Sequence, residues 1–307
     1  MTLGLKMLLP RFDFASPATL EPTLELLAEA GSEARLLAGG TDLLVKMKRG
    51  ELAPRLVVSL ARIPELARLA VSDSGLTLGP LCTMTELATS PLLTGMPAWA
   101  GLAEGAASVG GPIIRNRATV GGNIANARPC ADTVPPLMTL GARLLLESRD
   151  RGLRTATLDG FITGPGQTAL RSDEVLTGIE LPAAAGPSGS SYLKITRRGS
   201  MEVTLVGCAA SVTLDADGAT VKSARAVLTS VAAVPLPVPD VQKALAGCAV
   251  GEPALEQALQ EAAEAARCTA RPIDDHRAPA FYRSEMAAVT ARRALRAAVE
   301  RAAGRAS

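Results

Sequence analysis

The sequence predicts a chain of mixed helices and strands, sorted unevenly along its length. Three observations carry this. In the first sixty residues, strand-like apolar runs alternate with stretches of helical period. Beyond about residue 190, short apolar runs are separated by hairpin-type turns. The last fifty residues hold two alanine-rich stretches of helical period. The 307 residues suffice for two domains or one large one. With 48% hydrophobic residues but only 2% aromatic, a substantial core must be built from Leu, Val, Ile and Ala.

Taken in order, residues 12–14 read as a short strand. A helix starts near Thr19, with Leu20, Leu24 and Leu27 on one face and Gly31 as its stop. Residues 34–38 are a buried strand that delivers the chain to Gly39. A short helix over 42–48 closes at Gly50, and 55–60 returns as a strand. Leu76 and Leu78 alternate toward Gly79-Pro80, and 83–89 reads as a short helix. A helix of small residues over 99–108 ends at Gly110-Gly111-Pro112, before a polar segment with Arg115, Asn116 and Arg117. Residues 132–140 read as a helix with Pro135 and Pro136 early in it, and 142–146 as a strand. Pro, Ala, Gly and Ser dominate 182–191, a candidate domain boundary. Strands follow near 192–196, 202–213 and 221–228, with Asp215-Ala216-Asp217-Gly218 as a hairpin connection. Helices over 253–266 and 280–303 close the chain, and no fixed-period repeat is present.

Two glycine-rich turns lie about eighty positions apart: Leu36-Leu37-Ala38-Gly39-Gly40-Thr41-Asp42 and Thr119-Val120-Gly121-Gly122-Asn123-Ile124-Ala125-Asn126. Each is expected where a strand ends. Paired glycines admit close approach of a ligand and leave amide N–H groups free for anionic oxygens. Two such turns gripping one pyrophosphate make a bound dinucleotide the leading idea. Neither turn matches G-x-G-x-x-G or the Walker pattern. The match at Gly164-Pro165-Gly166-Gln167-Thr168-Ala169 has no strong helix after it and reads as a loop.

A formal net charge of +2 gives no support for nucleic-acid binding. The lone His276 excludes a multi-histidine metal site within the chain, and five cysteines without C-x-x-C spacing form no zinc or iron–sulfur cradle. Scattered cysteines, odd in number, suit a reducing setting. No apolar stretch has the length of a membrane span, and the N-terminus, with Lys6 and Arg11 around few apolar residues, is too short for a secretory signal. The expected location is cytoplasmic.

The strings LLAGGTDLLVKMKRG, VGGPIIRNRATVGGNIANARPCAD and YLKITRRGSMEVTLVG resemble the FAD-binding medium subunit of molybdenum hydroxylases, the group with carbon monoxide dehydrogenase and xanthine dehydrogenase. Arg62-Ile63-Pro64-Glu65-Leu66, Asp274-Asp275-His276-Arg277 and Tyr282-Arg283 extend the resemblance from Phe12 to about Arg296. It implies an α+β fold. A two-part FAD-binding domain of the vanillyl-alcohol oxidase and p-cresol methylhydroxylase type would span residues 1–182, divided near residue 60. A C-terminal domain with a three-stranded antiparallel sheet and helices would span 188–300.

The same resemblance implies an oxidoreductase component that takes electrons from 2Fe-2S clusters of a small partner and passes them on. A large partner with the molybdenum cofactor would hydroxylate substrate, so no catalytic residue is expected in this chain, and the assembly would be a dimer of heterotrimers. The acceptor stays open between NAD, a quinone, a cytochrome and oxygen. An alternative is a stand-alone FAD-dependent oxidase or dehydrogenase of the same fold.

By resemblance, Leu37, Ala38, Gly39, Gly40, Thr41 and Asp42 wrap the FAD pyrophosphate and ribityl chain. Thr119, Gly121, Gly122 and Asn123 form the opposing wall. Val109 and Ile114 sit near the flavin or adenine, and Leu176 packs on an apolar part. Asp132 accepts hydrogen bonds from the cofactor, and Lys194 lies near the isoalloxazine, where a cation stabilises negative charge. Asp132 could instead be a helix N-cap, and Lys194 part of a solvated strand face. Cys130 reads as a small buried hydrophobe, where relatives often carry Ala or Ser. No cysteine-rich insertion follows Asp132, so no iron–sulfur cluster and no other metal is expected in this chain. Arg197 and Arg198 read as surface or interface charge; Arg292, Arg293, Arg296 and Arg301 read as a solvated helix face, with an intersubunit contact as the alternative.

Overall fold

A computed structural model of the chain describes residues 8–199 and 201–305. The stretch holding Lys6 lies outside them. The first layer comprises β1 (Asp13–Ala15), α1 (Leu20–Ala30), β2 (Ala34–Leu37), α2 (Leu43–Lys48) and β3 (Leu56–Ser59). The strands pair in parallel in the order β1-β3-β2. α1 buries Leu24 and Leu27 against this sheet and stops at Gly31, as the apolar spacing predicts.

The second layer opens with a hairpin of β4 (Leu69–Ser72) and β5 (Gly75–Leu78). Six short helices follow: α3 (Met84–Thr89), α4 (Pro91–Thr94), α5 (Ala100–Ala107), α6 (Pro112–Arg115), α7 (Val120–Asn126) and α8 (Val134–Thr139). Then come β6 (Arg143–Ser148), β7 (Gly152–Thr157), β8 (Ile162–Gly164), β9 (Gln167–Thr168) and β10 (Val175–Pro182). β4-β5-β10-β6-β7 make an antiparallel sheet of five strands. Its Leu78, Leu144, Leu146 and Ile179 share one core with Met84, Leu102, Val120, Ile124 and Leu137 of the helices. α3 starts cleanly because Thr83 and Glu86 form a capping box.

Two expectations change here. The second glycine pair does not follow a strand; Gly121 and Gly122 lie in the first turn of α7, whose N-cap is Thr119. Glycine is a poor helix former, but the Thr119 cap and the burial of Val120 and Ile124 hold the turn. The 164–169 stretch is not an open loop, because β8 and β9 pair there as a small hairpin.

The third layer holds β11 (Ser188–Ile195), β12 (Val206–Leu214), β13 (Val221–Thr229) and β14 (Leu236–Pro237), then α9 (Asp240–Leu245), α10 (Ala254–Thr269) and α11 (Ala280–Ala302). The antiparallel sheet has four strands rather than three, since the two-residue β14 joins the edge of β13. So short a strand carries no period to read. Asp215 to Gly218 do form the β12–β13 turn, with the Gly218 N–H donating to the Asp215 carbonyl at 2.9 Å. α11 lies on β11 and β12 through Ala287, Ala291, Ala294 and Ala298. This alanine stripe brings backbones together: a methyl at Gly189 of β11 would lie 2.3 Å from the Ala298 carbonyl oxygen. A core nearly free of aromatics closes in this way.

Of the four arginines expected on a solvated face of α11, Arg293 is exposed, as expected, while the other three reach acidic partners. Arg292 and Arg296 pair with Glu256 of α10, and Arg301 pairs with Glu104 of α5 in the second layer. Long guanidinium stems reach acidic partners that are distant in sequence, which helix periodicity alone does not reveal.

Candidate functional site

The two glycine segments meet in the folded chain. The turn from β2 into α2 packs against the segment entering α7, and a methyl at Gly39 would lie 1.8 Å from the Arg117 carbonyl oxygen. Gly40 has φ +77°, a backbone region that side chains disfavour. The Lys46 ammonium donates to Asn126 Oδ1 at 2.9 Å and ties α2 to α7.

The segments differ in what their amides do. Among the described residues, the N–H groups of Gly39, Gly40, Thr41 and Asp42 donate to no acceptor in the chain. Gly39, Gly40 and Thr41 are half-buried and Asp42 is exposed. Four successive amides without an acceptor in the chain are donors of the kind that bind an anion. In the second segment the amides from Val120 to Asn123 are all taken, which corrects the expectation of free glycine amides at both turns. There the Val120, Gly121 and Asn123 N–H groups donate to the carbonyls of Cys82, Pro80 and Thr119, at 3.0, 2.9 and 2.9 Å. The Gly122 N–H donates to Thr119 Oγ1 at 3.1 Å. What the second turn offers is space. A methyl at Gly121 would strike Pro80, but one at Gly122 would meet only Thr119 Oγ1, at 3.0 Å. Asn123 braces the turn, its Oδ1 accepting from Thr133 Oγ1 at 2.7 Å.

Asp132 and Lys194 come together although one lies ahead of β11 and the other on it. The Lys194 ammonium donates to Asp132 Oδ2 at 3.0 Å and to the Ser108 carbonyl at 2.6 Å. Asp132 Oδ1 accepts from the Tyr192 hydroxyl at 2.6 Å and from Thr204 Oγ1 at 2.7 Å. Asp132 is therefore no helix N-cap; it precedes Thr133 and its oxygens serve this cluster. Lys194 is not on a solvated face, with its side chain only 15% exposed. Burial and the neighbouring Asp132 carboxylate push the Tyr192 hydroxyl well above its ordinary pKa, so it stays a donor.

Ser108 adjoins Val109, which places Val109 beside this cluster. Val109 and Ile114 are half-buried against the second-layer core, and Leu176 is buried within it, at the bulge of β10. Arg115 donates to the Val109 carbonyl at 3.2 Å. Leu37 and Ala38 are half-buried at the end of β2. Cys130 is half-buried, and burial followed by the nearby Asp132 raises its thiol pKa. Arg197 and Arg198 are exposed and face Glu202. Sequence reading missed Tyr192 and Thr204. A signal existed for the former: Tyr192 and Lys194 are two apart on one strand and share a face.

Among the described residues, no group of three His, Cys, Asp or Glu side chains stands close enough to hold a metal ion. No helix among them is long and apolar enough to cross a membrane.

Comparison with known proteins gives two family matches. Residues 10–184 match the FAD binding domain in molybdopterin dehydrogenase, and 191–298 match the CO dehydrogenase flavoprotein C-terminal domain. The chain is 35% identical over 298 residues to the carbon monoxide dehydrogenase medium chain of Hydrogenophaga pseudoflava, covering 97% of this chain and 100% of that one. It is 37% identical over 210 residues to the xanthine dehydrogenase FAD-binding subunit of Escherichia coli O157:H7, covering 66% and 70%. A solved structure of the Hydrogenophaga pseudoflava carbon monoxide dehydrogenase superposes with a TM-score of 0.88 at 34% identity, covering 96% of this chain and 99% of that one. Quinoline 2-oxidoreductase from Pseudomonas putida 86 superposes at 0.84 with 26% identity, covering 96% and 99%.

Proposed function

We propose, on the premise that this chain belongs to the family of FAD-binding subunits of molybdopterin dehydrogenases, that it is the FAD-carrying electron-transfer subunit of a heterotrimeric molybdenum hydroxylase. The observation that carries the reading is the free amide run from Gly39 to Asp42, a cradle suited to a pyrophosphate. Bound FAD would supply the redox chemistry, exchanging electrons between a small 2Fe-2S subunit and an external acceptor.

The chain's own residues bind and orient. Gly39, Gly40, Thr41 and Asp42 hold the pyrophosphate side through backbone donors, and Leu37 and Ala38 lead the chain from β2 into that turn beside the ribityl chain. Thr119, Gly121, Gly122 and Asn123 form the opposing wall, with Gly122 leaving room for close approach. Val109, Ile114 and Leu176 offer apolar contact. Lys194, with Asp132 as its counter-charge, presents a fixed cation at the cluster. The two-part FAD-binding domain, of the vanillyl-alcohol oxidase type, is assigned to 1–182 and the C-terminal domain to 188–300. Hydroxylation belongs to the large molybdenum-cofactor subunit, in a cytoplasmic dimer of heterotrimers. The acceptor is NAD, a quinone, a cytochrome or oxygen.

Purification with co-purifying partners, followed by an ultraviolet–visible spectrum and a subunit gel, tests this. Flavin bands with two partners carrying iron–sulfur and molybdenum signals support it. Flavin on a lone chain that is reduced by a small substrate overturns it in favour of an independent flavoenzyme.

A further inference from the structure

We infer that Tyr192 is a positioning residue, seating β11 on the second layer so that Lys194 is held at one place beside the proposed cofactor site; its purpose rests on the FAD reading above. Tyr192 is gripped at both ends. Its backbone N–H donates to Glu104 Oε2 at 2.7 Å, and its hydroxyl donates to Asp132 Oδ1 at 2.6 Å. Glu104 and Asp132 both belong to the second layer, on α5 and just ahead of α8. The other Glu104 oxygen pairs with Arg301, which also donates to the Ser190 carbonyl at 2.6 Å.

The side chain crosses β12 through a space built for it. A methyl at Gly207 would lie 2.6 Å from Thr229 Cγ2, 2.7 Å from the phenol oxygen and 3.2 Å from the ring carbon that bears it. Gly207 is the antiparallel partner of Lys194. Tyr192 is 2% exposed, so a hydroxyl there requires a partner, and Asp132 supplies it. Tyr192 and Thr204 together occupy Oδ1 of Asp132 and leave Oδ2 to the Lys194 ammonium. The phenol thus fixes the carboxylate, and the carboxylate fixes the cation. Removing the hydroxyl leaves the ring's packing intact but leaves Thr204 alone on Oδ1, so Asp132 is held less firmly and Lys194 has a less fixed counter-charge.

The test reads Lys194 directly. The full-length chain is acetylated with and without FAD, and site-specific rates are followed by mass spectrometry, with exposed Lys222 as internal control. Tyr192→Phe is expected to speed labelling of Lys194 in the FAD-free chain about fivefold, the scale of one lost buried hydrogen bond, and to leave Lys222 unchanged. Gly207→Ala, which crowds both the ring and the Thr229 methyl while keeping the hydroxyl, is expected to act in the same direction. In the FAD-loaded chain the reduction potential of the flavin shifts in Tyr192→Phe. Should Tyr192→Phe fail to fold, Gly207→Ala and Thr204→Val decide the matter. Unchanged Lys194 labelling in the folded variants, with only a lowered melting temperature, overturns the inference. Failure of the FAD reading shows separately, as folded wild-type chain that takes up no flavin, while the labelling result in the FAD-free chain still stands.

Discussion

Gly39 and Arg117 touch backbone to backbone: a methyl on the Gly39 α-carbon would lie 1.8 Å from the Arg117 carbonyl oxygen and 3.1 Å from the α-carbon of Ala118. No flexible side chain is present to yield, so relief must come from separating the two segments. Gly39→Ala is expected to destabilise the chain by about 1 to 3 kcal/mol, as overpacking does, and to weaken FAD retention by parting the cradle from the opposing wall. Thermal unfolding and the flavin absorbance of the purified variant check this. A folded Gly39→Ala protein with full flavin occupancy would refute it.

Gly122 gives a different expectation because a methyl there faces one side-chain oxygen and no backbone of another segment. A Cβ there meets only Thr119 Oγ1, a hydroxyl that can yield by a few tenths of an ångström, so Gly122→Val is expected to fold. The added methyls occupy the space in which the ligand is proposed to lie. Loss of flavin with a native circular dichroism spectrum is the expected result. Full FAD occupancy in the folded variant would remove the second turn from the site.

How much of this is legible in the sequence depends on the range of the interaction. α1 and α10 are legible because their apolar spacing repeats every turn, and Leu24, Leu27, Leu255 and Leu259 are buried as that spacing predicts. The α7 turn is not, because a double glycine carries no helical preference and the cap from Thr119 and the packing of Val120 and Ile124 decide its conformation. The glycine turns are visible as motifs, but which amides stay free depends on Pro80 and Cys82, forty positions away. The partners of Asp132 lie 60 to 72 positions along the chain, at Tyr192, Lys194 and Thr204. A single sequence does not display pairings at that distance.

Asp275 makes stability depend on pH. Burial opposes its ionisation, but the Arg277 guanidinium, the N–H groups of Arg277 and Ala278, and the Arg283 guanidinium outweigh that and hold its pKa below the ordinary 3.8. The folded chain therefore keeps Asp275 ionised where the unfolded chain protonates it. The stability this contributes is present above pH 3.8 and is lost as the pH falls from there toward the lowered value. Arg283 is only 3% exposed and depends on this carboxylate. Asp275→Asn is expected to lose about 2 to 3 kcal/mol at neutral pH, and less in strong acid. Urea unfolding at about pH 7 and about pH 2 measures the difference. An equal loss at both pH values would count against the carboxylate as its source.

Arg301 joins the last helix to the second layer. It pairs with Glu104 of α5 and donates to the Ser190 carbonyl, while Glu104 also accepts from the Tyr192 N–H. Both side chains keep some solvent contact, 23% for Arg301 and 32% for Glu104, so water screens the pair. Its coupling is accordingly expected to be modest, about 1 kcal/mol in a double-mutant cycle of Arg301→Met and Glu104→Gln. A surface arginine of no structural consequence would give additive losses near zero. The residue's position makes a second readout available. The stretch between β10 and β11, residues 183–187, is mostly exposed and connects the layers that Arg301 clamps. Arg301→Met is expected to raise protease cleavage within 183–187 at a given unfolding free energy, because the clamp restrains local separation of the layers as well as global unfolding. Cleavage that merely tracks global stability would assign Arg301 to α11 packing alone.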